Sequence, residues 1–205
     1  MSTLTQMDQI SRGQGFIAAL DQSGGSSPKA LAEYGISTNA YHSDAEMFTL
    51  IHDMRCRLMT APAFDGRKII GAILFEDTMM RQVGEISVAN YLWNTRNVVP
   101  FLKIDKGLEE AQNGVQTLKP IPELEDLLRR ATDAGIFGTK MRSVIHSADA
   151  NGIAAIVAQQ FDIAQTILGH GLIPIIEPDI NIQSADKAAS ETLLCDEILT
   201  QLDRL

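Results

Sequence analysis

Charged residues stand where short apolar runs end: Asp21, the pair Lys103 and Asp105, the pair Lys140 and Arg142, and the pair Glu177 and Asp179. Residues i and i+2 of a strand share a face, so each pair projects to one side. In a closed parallel barrel that side is the mouth of the interior, where barrel enzymes keep their active sites. Solvated strand ends or structural ion pairs are the plainer reading. Recurrence on successive strands favours chemistry, because charge is seldom buried without a partner or a task. A lysine held near other cations and away from water gives up its proton more readily and can act as an amine nucleophile or proton donor. Lys140 beside Arg142 has that setting. Carboxylates such as Asp21 and Glu177 become general acid and base where their surroundings separate their pKa values.

A second feature is the turn over residues 21–29, rich in Gly and Ser, which enters a helix with Ser27 as N-cap and Pro28 at N1. Glycine-rich backbone at a helix start, with Lys29 nearby, suits a phosphate; a plain capped turn explains the same residues equally well. Gly13 and Gly15 precede their strand and so form no dinucleotide fingerprint. Ser23, Ser26 and Ser27 lack the Gly-x-Ser-x-Gly elbow of a serine hydrolase. His42, His52, His146 and His170 have no metal-ligand spacing and read as surface or helix-end residues, so no metal is expected.

The elements that must hold these residues alternate along the chain. Five apolar segments, residues 15–21, 68–75, 98–105, 136–145 and 171–179, read as strands buried on both faces. Between them lie helical patterns. Ser43 with Glu46 predicts a capping box ahead of a face bearing Met47, Leu50, Ile51, Met54 and Leu58. Val88, Tyr91 and Leu92 mark another helix, and Leu124, Leu127, Leu128 and Ala131 a third, running to Gly135 as a C′ residue. Ile153, Ile156, Val157, Phe161, Ala164, Ile167 and Leu168 form a fourth, ending at Gly169. Leu194, Ile198, Leu199, Leu202 and Leu205 form the last. Strand–helix alternation with such crossovers predicts parallel βαβ units in an α/β fold, here a single domain over 1–205 that stops in mid-course.

Composition bounds the function. The 205 residues are 45% hydrophobic and 21% charged, the profile of a folded globular domain rather than of disorder. A formal net charge of −9 and no Lys/Arg run argue against nucleic acid as a partner. Cys56 and Cys195 lie far apart and outside Cys-x-x-Cys spacing, which fits a reducing, cytoplasmic setting. The longest apolar run, 69–75, is far short of the roughly 20 residues that span a bilayer, and the first residues form no export signal, so no membrane partner is expected.

The strand-end motifs at residues 18–26, 71–78, 99–107, 139–142 and 175–179 together resemble, in order, those of the class I, Schiff-base-forming fructose-bisphosphate aldolases, particularly the bacterial branch. The resemblance covers nearly the whole chain. It implies a (β/α)8 TIM barrel, incomplete here with about five of eight strands, that cleaves fructose 1,6-bisphosphate to dihydroxyacetone phosphate and glyceraldehyde 3-phosphate without a cofactor or metal. Carried over by motif, Asp21 takes part in carbon–carbon bond cleavage, Glu177 donates and accepts protons in the carbinolamine steps, and Lys140 assists the Schiff-base chemistry. Lys103, Arg142 and Ser26 would contact substrate phosphate, with Asp105 and Asp179 supporting them. The family's Lys-Arg pair stands here as Lys29 and Ala30, which removes one phosphate contact. The resemblance places the Schiff-base lysine on a sixth strand beyond Leu205, so this stretch alone is expected to be inactive. It also implies a sugar-phosphate substrate and, commonly, a homo-oligomer. Two other readings remain: a Schiff-base barrel lyase using Lys140 itself as the amine, and a non-catalytic aldolase-derived fragment or scaffold.

Overall fold

The computed structural model describes residues 5–23 and 25–204. Residues 1–4, Gly24 of the glycine-rich turn and Leu205 of the last helical stripe lie outside the described residues. The chain forms two compact units, Met1–Lys103 with Arg130–Gly138, and Ile104–Arg129 with Thr139–Leu205.

In the first unit, helix α1 (Gln6–Arg12) leads into strand β1 (Phe16–Leu20), followed by α2 (Ser27–Glu33), α3 (Asp44–Thr60), β2 (Ile69–Leu74) and β3 (Val99–Lys103). β1 pairs with β2 and β2 with β3, both in parallel. Leu20 stands opposite Leu74, and Leu74 opposite Leu102, so the three strands end level with one another. That register brings Asp21, Phe75 and Lys103 to one height, as residues at the carboxyl ends of parallel strands must be if they are to share a ligand.

Helix α3 begins at Ser43, whose hydroxyl accepts the Glu46 N–H at 3.2 Å. The return half of the expected capping box is displaced: the Glu46 carboxylate accepts the His42 N–H, one residue further back, at 2.6 Å. The buried face of α3 carries Met47, Ile51, Met54 and Met59, while Leu58 is 37% exposed. Met47, Ile51 and Met54 close on Leu31 of α2, and each such apolar side chain removed from water contributes about 1.5–3 kcal/mol. β1 departs from the expected two-faced burial. Phe16 and Ile17 are exposed and only Leu20 is buried, because among the described residues β1 pairs with β2 alone.

Helix α4 (Leu124–Asp133) buries Leu127, Leu128 and Ala131 and ends before Gly135, whose φ of +84° is the left-handed conformation of a C′ glycine. The second unit then contains β4 (Gly138–Ile145) from Thr139 onward, α5 (Ala150–Gly169), β5 (Ile173–Ile180) and α6 (Lys187–Leu202). β5 pairs with β4, and the short strand Val115–Gln116 runs antiparallel to the end of β4. Asp149 caps α5 by accepting the Gly152 N–H at 2.8 Å. Gly169 is the last helical residue, and Gly171, at φ +74°, makes the reversal.

The core of this unit joins Val115, Ile145, Ile153, Ile156, Val157 and Phe161, with Leu193, Leu194 and Ile198 of α6 packed against them. Leu199 and Leu202, expected on the same stripe, are exposed instead, their place taken by Leu193. Near the start of α5 the chain at Asn113 lies so close that a Cβ on Gly152 would stand 2.1 Å from the Asn113 carbonyl oxygen.

Candidate active site

The alternation of side chains along β4 and β5 assembles four of the expected residues into one cluster. Lys140 and Arg142 share a face of β4, Glu177 and Asp179 a face of β5. Lys140 Nζ lies 3.4 Å from Glu177 Oε2, and Arg142 Nε lies 3.9 Å from Glu177 Oε1. Arg142 grips Asp179 more closely, donating from Nε at 2.9 Å and Nη2 at 2.5 Å to the same Oδ2. Lys140 is buried, with a side chain only 10% exposed, whereas Arg142 is 46% exposed. A buried ammonium, a half-buried carboxyl and a more open guanidinium thus lie in series from the interior outward.

Burial is the main influence on Glu177 and pushes its carboxyl above the ordinary range, against the pull of Lys140 and Arg142 and with the help of Asp179. A carboxyl so placed gives up and regains a proton nearer neutral pH than a solvated one. Its backbone is fixed from α5. Gln160, fully buried, accepts the Glu177 N–H on Oε1 at 2.8 Å and donates from Nε2 to Ser143 Oγ at 2.6 Å. One amide side chain therefore ties β4 to β5 beside the cluster. Sequence reasoning passed over Gln160, although a polar residue at three and four residues from Val157 and Ile156, in register with the apolar stripe of α5, is the signal that finds it. Asp186 fastens the following loops, accepting the Ala148 N–H at 2.9 Å and the Ser184 hydroxyl at 2.7 Å. These bonds hold its carboxyl below the usual range.

The remaining expected residues are placed as follows. Asp21 and Lys103 follow or close β1 and β3 in the first unit, both partly buried. Asp105 is buried in the second unit, next to Ile104, whose N–H donates to the Lys140 carbonyl at 3.0 Å. Ser26, not Ser27, is the N-cap of α2, and its hydroxyl is engaged by the turn rather than by the helix: it accepts the Ser23 N–H at 3.1 Å. Ser27 is buried as the first helical residue, its hydroxyl donating to the Ser23 carbonyl at 3.0 Å, which puts Pro28 second in the helix. His52 is also corrected: it is buried in α3, with Nε2 at 2.8 Å from the Gln82 carbonyl and 3.3 Å from Cys56 Sγ.

Arg55 was likewise passed over. It is fully buried on α3, donating from Nη2 to the Gln22 carbonyl at 2.6 Å and from Nη1 to Thr78 Oγ1 at 2.5 Å. A cavity of about 740 Å³ lies elsewhere, lined by residues such as Glu109, Glu110, Gln116, Lys119 and Gly152, and none of the expected residues lines it. No three His, Cys, Asp or Glu side chains among the described residues gather as a metal site requires. No helix among them is long and apolar enough to cross a membrane.

Comparison with known proteins places this arrangement. The family described as fructose-bisphosphate aldolase class-I matches residues 3–202. The class 1 fructose-bisphosphate aldolase of Clostridium acetobutylicum is 56% identical over 201 residues, covering 98% of this chain and 68% of that protein. That of Synechocystis is 54% identical over 200 residues, covering 98% and 67%. The chain thus spans about two thirds of the length of these relatives. Among solved structures, fructose-bisphosphate aldolase from Plasmodium falciparum, in complex with TRAP and a small molecule inhibitor, aligns with a TM-score of 0.67 at 23% identity, covering 85% of this chain and 50% of that one. At that identity the likeness is one of fold, and it identifies the strands and helices described above as part of a (β/α)8 barrel. Sequence and fold agree that the chain belongs to the class I fructose-bisphosphate aldolase family.

Proposed function

We propose that the polypeptide carrying this chain is a carbon–carbon lyase that cleaves fructose 1,6-bisphosphate through a Schiff base, giving dihydroxyacetone phosphate and glyceraldehyde 3-phosphate in glycolysis or its reversal. The observation that carries the reading is the Lys140–Glu177 pair, with a carboxyl raised by burial facing a buried ammonium. In the forward direction a lysine outside residues 1–205 adds to the C2 carbonyl. Glu177 gives a proton to the carbinolamine hydroxyl, which leaves as water, and takes one back when the product is hydrolysed. Lys140 keeps Glu177 oriented through both transfers and supports the charge that shifts between them.

In the cleavage step the C3–C4 bond breaks and its electron pair moves onto the iminium carbon system as an enamine. The C4 hydroxyl loses its proton, and we assign that proton to Asp21. Arg142, clamped by Asp179 through Nε and Nη2, keeps its Nη1 edge for a phosphate oxygen. Lys103 and Ser26 complete the phosphate contacts, and Asp105 supports them. Cys56 and Cys195 are both free, which supports a reducing compartment such as the cytoplasm. We further infer a homo-oligomer by analogy with the family, with a sugar phosphate as its small-molecule partner.

The test is borohydride trapping with dihydroxyacetone phosphate, followed by peptide mapping, beside a cleavage assay on fructose 1,6-bisphosphate. We expect cleavage and an adduct on a lysine outside residues 1–205. An adduct on Lys140 would transfer the nucleophile to this chain and replace the mechanism; neither cleavage nor adduct would leave a scaffold.

A further inference from the structure

Arg55 is a buried cation that the reaction scheme above leaves unused. Its side chain is fully enclosed, and among the described residues its Nε–H has no hydrogen-bond partner. Desolvation is severe enough to bring the guanidinium down to about 10, opposed first by the charge of Asp21 and then by that of Asp77. Stability alone selects against such a group, since an apolar residue of similar size fills the same space without burying a charge.

What the guanidinium does hold is specific. Nη2 donates to the carbonyl of Gln22, the residue that immediately follows Asp21, and lies 3.4 Å from Gln22 Oε1. Nη1 donates to Thr78 Oγ1, in the helical turn Glu76–Met79 that follows β2. A rigid planar fork rooted in the long helix α3 thereby ties the chain leaving β1 to the chain leaving β2. β1 needs such a tie. It is short, among the described residues it pairs only with β2, and Phe16 and Ile17 are exposed.

We propose that Arg55 is a positioning residue for the cleavage step: it fixes the peptide after Asp21 and so sets the direction of the Asp21 carboxylate. This rests on the aldolase reading, in which Asp21 takes the C4 hydroxyl proton. The proposal separates Arg55 from Schiff-base formation, which belongs to the Lys140–Glu177 side of the chemistry.

The test uses the polypeptide at its natural length, with the variants Arg55→Lys and Arg55→Met, and Thr78→Val as one that keeps the guanidinium and removes one acceptor. Three readouts are taken: kcat and KM for cleavage of fructose 1,6-bisphosphate, borohydride trapping of dihydroxyacetone phosphate, and thermal unfolding. We expect kcat to fall about 100-fold in R55M and about 10-fold in R55K, the scale of a misplaced reacting group. T78V should lower it less, with KM and the trapping rate close to the parent in every variant that folds. Parental kcat in both R55K and T78V overturns the proposal, even if R55M does not fold. Equal loss of kcat and trapping, in step with lowered unfolding temperature, overturns it too, because that is general damage. A parent that neither cleaves nor is trapped removes the aldolase reading, and the Arg55 proposal with it; where the parent is trapped and cleaves, a failure in the variants falls on Arg55 alone.

Discussion

Replacing Gln160 by leucine tests how far the Glu177 segment depends on one amide. Gln160 makes two hydrogen bonds, to Ser143 Oγ at 2.6 Å and from the Glu177 N–H at 2.8 Å. Leucine keeps most of the volume and supplies neither partner. The Ser143 hydroxyl, fully buried, and the Glu177 N–H are then left unsatisfied, at about 1–3 kcal/mol each, so we expect a loss of about 2–6 kcal/mol in unfolding free energy. For a chain of this size each kcal/mol moves the midpoint by about 2–4 °C, which puts Gln160→Leu about 4–24 °C below the parent. The double variant with Ser143→Ala should lose less than the sum of the singles, because it removes one of the stranded groups. Gln165→Leu, on an exposed position of α5, should stay within about 0.5 kcal/mol of the parent. Urea unfolding of the four variants gives the energies, and hydrogen exchange at the Glu177 amide gives the local effect, which should be faster exchange. Gln160→Leu within about 0.5 kcal/mol of the parent, or unchanged protection at Glu177, would refute the argument that this amide holds the strand.

Other expectations follow from the same cluster. Burial raises the Glu177 carboxyl, so the folded chain binds that proton more tightly than the unfolded one; the associated stability is complete below the ordinary value of 4.5 and is lost as pH rises through the raised value. Glu177→Gln should therefore stabilise the protein relative to the parent at neutral pH and not at pH below that ordinary value, as read from unfolding curves at both; the opposite order would mean that the ion pairs outweigh burial. Lys140→Met removes the strongest electrostatic pull on that carboxyl and should move the acid limb of the pH–rate profile further upward, with kcat lowered. Asp179→Asn loosens a partly exposed pair and should change stability by about 0.2–1 kcal/mol at most, while raising KM for the bisphosphate through a less firmly held Arg142. An unchanged KM would remove Asp179 from the phosphate site.

The cluster on β4 and β5 was legible because strand alternation is local: charges two residues apart on one strand must share a face, and the pairs Lys140/Arg142 and Glu177/Asp179 meet as that geometry requires. Gln160 and Arg55 were less visible, since what each side chain holds is decided by elements far away in sequence. Adjacent serines at 26 and 27 satisfy the same capping preference, and only the actual backbone path chooses between them. Likewise an apolar run such as residues 16–20 reads the same whether the strand is central or at an edge. In α6, Leu193, Leu194 and Ile198 compete with Leu199 and Leu202 for the inward face, and packing against α5 settled the choice.

The contact between Gly152 and Asn113 ties together two stretches that a mutational history would otherwise treat separately. With the Asn113 oxygen 2.1 Å from where a Cβ would lie, and the Val115 side chain at 2.9 Å, no second amino acid fits at 152 while the chain runs as it does through 112–115. Any lineage that alters both must change them in one order, re-routing the loop first and filling the helix position afterwards. A saturation scan of α5 should show the same dependence at position 152, where even alanine is rejected, and that position should open only in variants whose loop has already moved.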